Sequence, residues 1–417
     1  MKILETILYI LIIIFTIFMP LIPSNYKIKS INFTGDTILY FIVLYFLIII
    51  LFNKINRNIL LKNYKSIFKD YINISMLLWI AAMFISACNA KDKLLALSET
   101  LRLSSYIILF FILRYFIKKE KVYKIILKNY MLSSFIIGVF GIYQSFMGYG
   151  ILESNKFGSE IRISSFLENP NNLGMYFVFA VFPFIVLLIK DKKPINKLIY
   201  LLLTFLSLAN IILSYSRNAY LGIAVGFLLL IVIFNIKYIF FTIIPVLLIK
   251  FIPSIYTRIK DIGDPSQNIS RIELWKTAVS MIKDHMILGV GNGNFPEYYG
   301  KYLADGEKTN KNLQSIIHPH NAFLKAFSEL GLLGFLSFTV MMISSFFKVF
   351  GFIKTEGDGF YKSFYTGVFI SLFSMVFMNF LDNFFSSPKV VVYYFIVIGV
   401  CEGIKNNRLE VNPLSKR

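Results

Sequence analysis

Apolar residues along the chain gather into runs of roughly 17 to 22, the length needed to cross a bilayer as a helix. They lie near 3–22, 37–52, 71–87, 98–117, 123–146, 170–189, 195–213, 218–235, 236–253, 321–347, 361–385 and 389–404. Inside the runs there is no period-two alternation, so a membrane β-barrel is excluded. Hydrocarbon offers the backbone no hydrogen-bond partners, so each run has to satisfy its own N–H and C=O groups as a helix. The pattern predicts an all-α polytopic membrane helix bundle of about twelve transmembrane helices. Asn235 and Lys237 mark a tight turn between the eighth and ninth runs. The first run follows Lys2 as in a signal peptide, but no small-residue cleavage site follows it, and it is expected to stay as the first helix.

Of the 417 residues, 57% are hydrophobic and the formal charge is +20. A charge that large would suit a nucleic-acid binder if it formed one basic face. Here the lysines are scattered through short loops between apolar runs, so they read as topology signals and no nucleic-acid partner is expected. Lys54, Arg57, Lys62, Lys65 and Lys69, the lysines of 118–128 and 190–197, and Lys405, Arg408, Lys416 and Arg417 all fall on one side when the runs are counted in order. Basic loops are retained in the cytoplasm, which predicts a multi-pass protein of the cytoplasmic membrane with both termini inside. Cys88 and Cys401 then belong to opposite faces, too far apart for a disulfide.

The connection from about 254 to 320 is long and falls on the extracytoplasmic side. Connections of that length are usually functional. After Ser270, a plausible N-cap, Leu274, Ala278, Met281 and Ile282 form an apolar stripe at helical spacing, and Gly289 ends it. The expected organisation is N-terminal transmembrane helices over 1–150, central ones over 151–253, a partly helical extracytoplasmic loop over 254–320, and C-terminal helices with a cytoplasmic tail over 321–417.

Polar residues with chemical potential collect on the outer side: Ser214-Tyr-Ser-Arg217-Asn218, Arg271-Ile-Glu-Leu-Trp275, and His318-Pro-His320-Asn321. Two of the three histidines in the chain stand within three residues of each other. Asn169, Asn172 and Asn321 are candidates for hydrogen bonding sugar hydroxyls, although Asn-Pro is also an ordinary helix start. Arg102, in a polar stripe with Ser98, Glu99 and Ser105, is a further candidate cation; Arg114 lies towards the cytoplasm and reads as a headgroup anchor. Glu329 is too deep for a catalytic role unless it faces a cavity. Gly331 and Gly334 would let a neighbouring helix come close. The Gly289-Val-Gly-Asn-Gly-Asn294 stretch lacks the Lys-Ser/Thr of a phosphate loop and the preceding strand of a dinucleotide site. There is no glycosidase-type carboxylate pair and no metal-ligand spacing, so neither a metal nor another cofactor is expected.

The run His320-Asn321, nine residues, then Gly331-Leu-Leu-Gly334 resembles the signature of bacterial O-antigen ligases and the related O-antigen polymerases. Asn169-Pro-Asn-Asn172-Leu-Gly174, Ser216-Arg217, Arg271-Ile-Glu-Leu-Trp275 and Gly289-Val-Gly-Asn-Gly-Asn-Phe295 resemble that family's other blocks, in its order, over roughly residues 165 to 340. The first 150 residues resemble it only in hydropathy. The resemblance implies an inverting, metal-independent glycosyltransferase acting outside the cytoplasmic membrane. Its partners would be a glycan donor on undecaprenyl pyrophosphate, an acceptor glycan or glycolipid, and membrane lipids. It also implies His320 as general base, His318 at a less constant position, and Arg217 and Arg271 holding the donor pyrophosphate; Arg102, from its polar stripe alone, is the further cation expected in that pocket.

Elementary chemistry agrees. An attacking hydroxyl has to lose a proton, which imidazole accepts near neutral pH. The departing lipid pyrophosphate needs its charge balanced, which guanidinium does with a planar fork. Ligase and polymerase share this chemistry and differ in acceptor. A glycolipid transporter would also use many spans, but would spread its cations along a path instead of gathering them at one face.

Overall fold

The structure is a computed structural model describing residues 2–23, 27–28, 31–32, 34–155, 158–234, 269–302 and 318–411. The helices are α1 (Lys2–Phe18), α2 (Gly35–Phe52), α3 (Lys54–Ile67), α4 (Tyr71–Cys88), α5 (Lys93–Phe111, continued by a π turn over Ile112–Phe116), α6 (Glu120–Phe146), α7 (Pro170–Lys190), α8 (Pro194–Leu213), α9 (Arg217–Phe234), α10 (Ile269–Asp284), α11 (Phe295–Tyr299), α12 (Ala322–Thr355), α13 (Phe360–Asn379) and α14 (Pro388–Val411). Besides single 3-10 turns over Ser165–Leu167 and Phe384–Ser386 there are two short antiparallel hairpins: β1 (Lys27–Ile28) with β2 (Ile31–Asn32), and β3 (Ile151–Asn155) with β4 (Gly158–Arg162). Eleven of the twelve expected spans coincide with a described helix; the ninth, 236–253, lies outside the described residues. Nine described helices are long and apolar enough to cross a membrane, and the 17-residue α1 is a shorter apolar one. The basic segment 53–70, expected as a loop, is mostly the polar helix α3.

Several polar groups inside the bundle find partners on neighbouring helices. Pro183, inside α7, has no N–H for the Phe179 carbonyl one turn earlier. The Ser371 hydroxyl of α13 donates to that carbonyl at 2.6 Å instead, which locks the buried pair α7–α13 in register. The Tyr393 hydroxyl of α14 reaches the Thr16 carbonyl of α1 at 2.7 Å, and Ser134 pairs with Tyr176 at 3.0 Å.

The two ends of the bundle are chemically distinct. At the end expected to face the cytoplasm, Arg114 is not a headgroup anchor. It is buried against Asp70 (2.5 Å) and Glu402 (3.2 Å), and Lys348 meets Asp70 at 2.6 Å. These two cations and two carboxylates neutralise one another, so the arginine is held by protein instead of lipid. At the other end, Asn89, Asp92, the 289–299 segment, His320 and Asp382 come together. Asn89 Nδ2 donates to Gly289 O at 2.7 Å, and the Asp92 N–H donates to Asn294 Oδ1 at 2.7 Å. Cys88, exposed, and Cys401, buried, are both free thiols.

α12 is broken at Gly331, whose φ of 68° and ψ of −167° interrupt the helix. The turn segment 286–291 enters the break: Val290 and Gly291 N–H groups donate to the Ser328 and Glu329 carbonyls, both at 2.9 Å, and Leu332 N–H donates to Met286 O at 2.8 Å. A Cβ at 331 would overlap the Ile287 carbonyl. Gly331 therefore admits backbone of the outer loop, not a neighbouring helix as expected, and the space at Gly334 is taken by Leu330 of its own helix. A polypeptide inserted into the hydrogen-bond ladder is a recognised cause of a sharp kink. The nine residues between Asn321 and Gly331 are thus one short outer helical piece, bounded by a cap at one end and a break at the other.

Candidate active site

Asn321 is the N-cap of α12. Its Oδ1 accepts from Leu324 N–H at 2.9 Å, and its Nδ2 donates to the Phe380 carbonyl at 3.0 Å, tying the start of α12 to the turn after α13. Both polar ends of this candidate glycan contact are therefore used in folding the site. The Ala322 N–H donates to the Asp382 carbonyl at 3.2 Å and strengthens the tie.

His320, just before the cap, is in the left-handed region at φ 45°, uncommon for a residue with a side chain. Its own N–H donates to His318 Nδ1 at 3.2 Å, and the two rings lie 4.1 Å apart. His320 Nδ1 lies 2.9 Å from Asp382 Oδ1; the histidine side chain is 32% exposed and the aspartate 5%. Burial pushes the Asp382 carboxyl up, but the hydrogen bond and charge of His320, then His318 and Arg271, outweigh it and hold the group at about 2. An ionised carboxylate only accepts, so in the neutral imidazole His320 Nδ1 carries the hydrogen and Nε2 keeps the lone pair. His318 is pushed down to about 3, first by burial and then by the charges of His320, Lys325 and Arg271. It is neutral near pH 7 and holds the His320 backbone.

Arg217 opens α9 and Arg271 lies in the first turn of α10; with Asn218, Leu221, Ile272, Trp275 and Leu381 they line one pocket of ≈260 Å³. Leu381 is followed by Asp382, so the arginine pocket and the histidine–aspartate pair are joined by one peptide bond. The turn at Arg217 is itself built from motif residues. Gly174 packs so closely on Ser214, Ser216 and Ala219 that a Cβ would not fit. Arg162 of β4 donates to Ser214 O and to Asn171 Oδ1, each at 2.9 Å. Within the same block, Asn169 caps α7 by accepting from Asn171 N–H at 2.8 Å, and Asn172 Nδ2 donates to Leu167 O at 3.3 Å.

Arg102 is not among the residues lining the arginine pocket. It forms an ion pair with Glu99 on α5. Sequence reasoning missed Asp382 altogether, because the apolar window 361–385 ran over it. The available signal was a carboxylate, flanked by Asn379 and Asn383, inside an expected span, where ionisable residues are costly and usually functional.

His318, His320 and Asp382 also have the donor types of a cation site, with ligand atoms all within 4.8 Å of one another. Arg271 and Lys325 impose a positive field on the same trio, which opposes a divalent ion there. The remaining histidine, His285, meets Tyr298 edge-to-face at 5.5 Å within the outer loop region. There α10 buries Ala278 and Met281 against Val290 and Phe295. Residues 254–268 and 303–317 of the expected cap lie outside the described residues.

A family model described as O-antigen ligase matches residues 202–339 of the chain. Among curated proteins the chain has no match.

Proposed function

We propose that this chain, whose residues 202–339 match the O-antigen ligase family model, transfers a glycan from undecaprenyl pyrophosphate to an acceptor sugar hydroxyl at the extracytoplasmic face. The observation that carries this reading is the single turn that places Leu381 in the arginine pocket and Asp382 on His320. In the proposed step the acceptor O–H loses its proton to His320 Nε2 as its oxygen bonds to the anomeric carbon. The bond from that carbon to the pyrophosphate oxygen breaks, and the electron pair leaves with the lipid pyrophosphate between Arg217 and Arg271. The new bond forms opposite the old one, so the configuration inverts. Asp382 keeps the imidazole in the tautomer that can accept the proton and stabilises the imidazolium that forms. The low dielectric at the mouth of the bundle strengthens both interactions.

The test is transfer in vitro by the full chain from a defined undecaprenyl-pyrophosphate glycan, with lipid A core and a second lipid-linked repeat as rival acceptors. A ligase uses the first, a polymerase the second. His320→Ala is expected to lower kcat by about 10²- to 10⁴-fold with donor affinity retained, and Arg217→Ala to weaken donor binding. Transfer is expected to continue in EDTA. Full activity of His320→Ala would refute the assignment, and blocked lipid translocation without any change in transfer would point to a transporter.

A further inference from the structure

The turn after α13 serves a second cavity. Leu381 lines the arginine pocket, Asp382 holds His320, and Asn383 and Phe385 line a separate space of ≈40 Å³ bounded by α4, α5, the 289–294 loop and the outer piece of α12. Trp79, Glu99, Asn292, Lys325, Glu329 and Asn383 are the polar side chains on its wall. Trp79 is 3% exposed, and its indole N–H has no hydrogen-bond partner. A buried donor left unpaired costs about 1–3 kcal/mol, so an unpaired donor facing a polar cavity marks a place where something accepts from it. Glu329 accepts from the Gly293 N–H at 2.8 Å, and Asn292 Nδ2 donates to Thr100 Oγ1 at 3.2 Å. These bonds hold the wall rigid and leave the indole as the open donor.

The two spaces differ in charge. The arginine pocket is lined by two guanidinium groups and no acid. The second cavity is lined by two carboxylates and one ammonium, and Arg102 pairs with one of those carboxylates. An inverting displacement needs the nucleophile and the anionic leaving group on opposite sides of the reacting carbon. The residues of one turn divide between a cationic pocket and a charge-balanced one. At 10–15 Å³ per water, the second cavity has room for about three waters or one hydroxymethyl group, so it fits the edge of a sugar and not a whole ring.

We propose that this cavity is the acceptor subsite, in which Trp79 and Glu99 engage the hydroxyl-bearing edge of a neutral sugar presented to His320. The proposal rests on the glycosyl-transfer reading above. It assigns the substrate class: neutral hexose or N-acetylhexosamine termini are favoured over uronic acids, whose carboxylate would meet Glu99 and Glu329.

The chain has only two tryptophans, and the structure puts one in each space, Trp79 in this cavity and Trp275 in the arginine pocket. Each can therefore report its own ligand. The full chain in detergent, as Trp275→Phe and as Trp79→Phe, is titrated with undecaprenyl pyrophosphate, with neutral methyl hexosides and N-acetylhexosaminides, and with methyl glucuronide. Neutral glycosides are expected to change Trp79 emission and leave Trp275 unchanged; undecaprenyl pyrophosphate does the reverse; the glucuronide moves neither. In transfer assays Trp79→Phe, which keeps the ring and deletes only the donor, raises the acceptor KM about three- to tenfold at unchanged donor KM. Glu99→Gln does the same in the conservative direction.

If neutral glycosides leave Trp79 silent and both variants keep the acceptor KM, while undecaprenyl pyrophosphate still moves Trp275 and the unmodified chain transfers, the acceptor assignment is overturned and the enzyme reading stands. Absence of transfer together with a silent Trp275 overturns both.

Discussion

His320 is useful as a base only in one tautomer, and Asp382 selects it. Asp382→Asn keeps the volume but presents an amide that can donate to Nδ1, so the proton moves to Nε2 and the base is lost; by analogy with other carboxylate–histidine pairs, kcat is expected to fall by up to about 10⁴-fold, with donor KM retained. His318 makes a different prediction. Its native pKa is below the ordinary histidine value of about 6.5, so the unfolded chain binds the proton more readily, and the stability it contributes is present above that pH. As the pH falls from there through about 3 that stability is lost. A pH series of thermal midpoints in detergent is therefore expected to slope downward on the acid side, less steeply for His318→Gln. The histidines and the two arginines were legible in the sequence because each is a rare polar residue at the edge of an apolar run. Asp382 was hidden, since a hydropathy average over some twenty residues hardly registers one carboxylate. The asparagines offered two readings in the sequence, sugar contact or helix start, and in the fold Asn169 and Asn321 are helix caps.

At the scale of elements, the spans were legible and the break in α12 was not. Hydropathy measures transfer into hydrocarbon and is blind to φ and ψ, so a helix and a kinked helix of the same composition read alike. Gly331 was noticed for its size, whereas its conformation and the loop carbonyl facing it are what require glycine. Gly331→Ala places a Cβ in the left-handed region and against Ile287 O. The expected cost is about 2–4 kcal/mol, read as a lower thermal midpoint, with transfer reduced because the 286–291 segment is displaced from the outer piece. The polar helix α3 was missed for a related reason: its lysines were read as topology markers, which they can be while also sitting on a helix.

For the whole molecule, the separation of loops into two ends was the inference that several independent stretches of sequence supported together, and among the described residues the fold gathers those stretches into two groups. What the sequence left unread was that the basic end is internally paired. Removing one member of a buried ion network leaves its partners charged and unsolvated, at about 3–5 kcal/mol. Arg114→Leu is accordingly expected to lower the thermal midpoint in detergent sharply. Because Asp70, Lys348 and Glu402 lie at the end opposite His320, the kinetics of the protein that remains folded are expected to be unchanged. A loss of acceptor or donor affinity in that variant would show that the two ends are coupled.

The nine residues between cap and break fix a dimension. A helical residue advances about 1.5 Å and turns about 100°, so inserting or deleting one between Asn321 and Gly331 would swing the imidazole about a third of a revolution away from its carboxylate while the rest of the bundle stayed put. Below the break the helix can shift or lengthen without consequence for that alignment. The outer piece behaves as a ruler of set length, and a homologue that changed the count would have to rebuild the turn carrying Asp382 along with it.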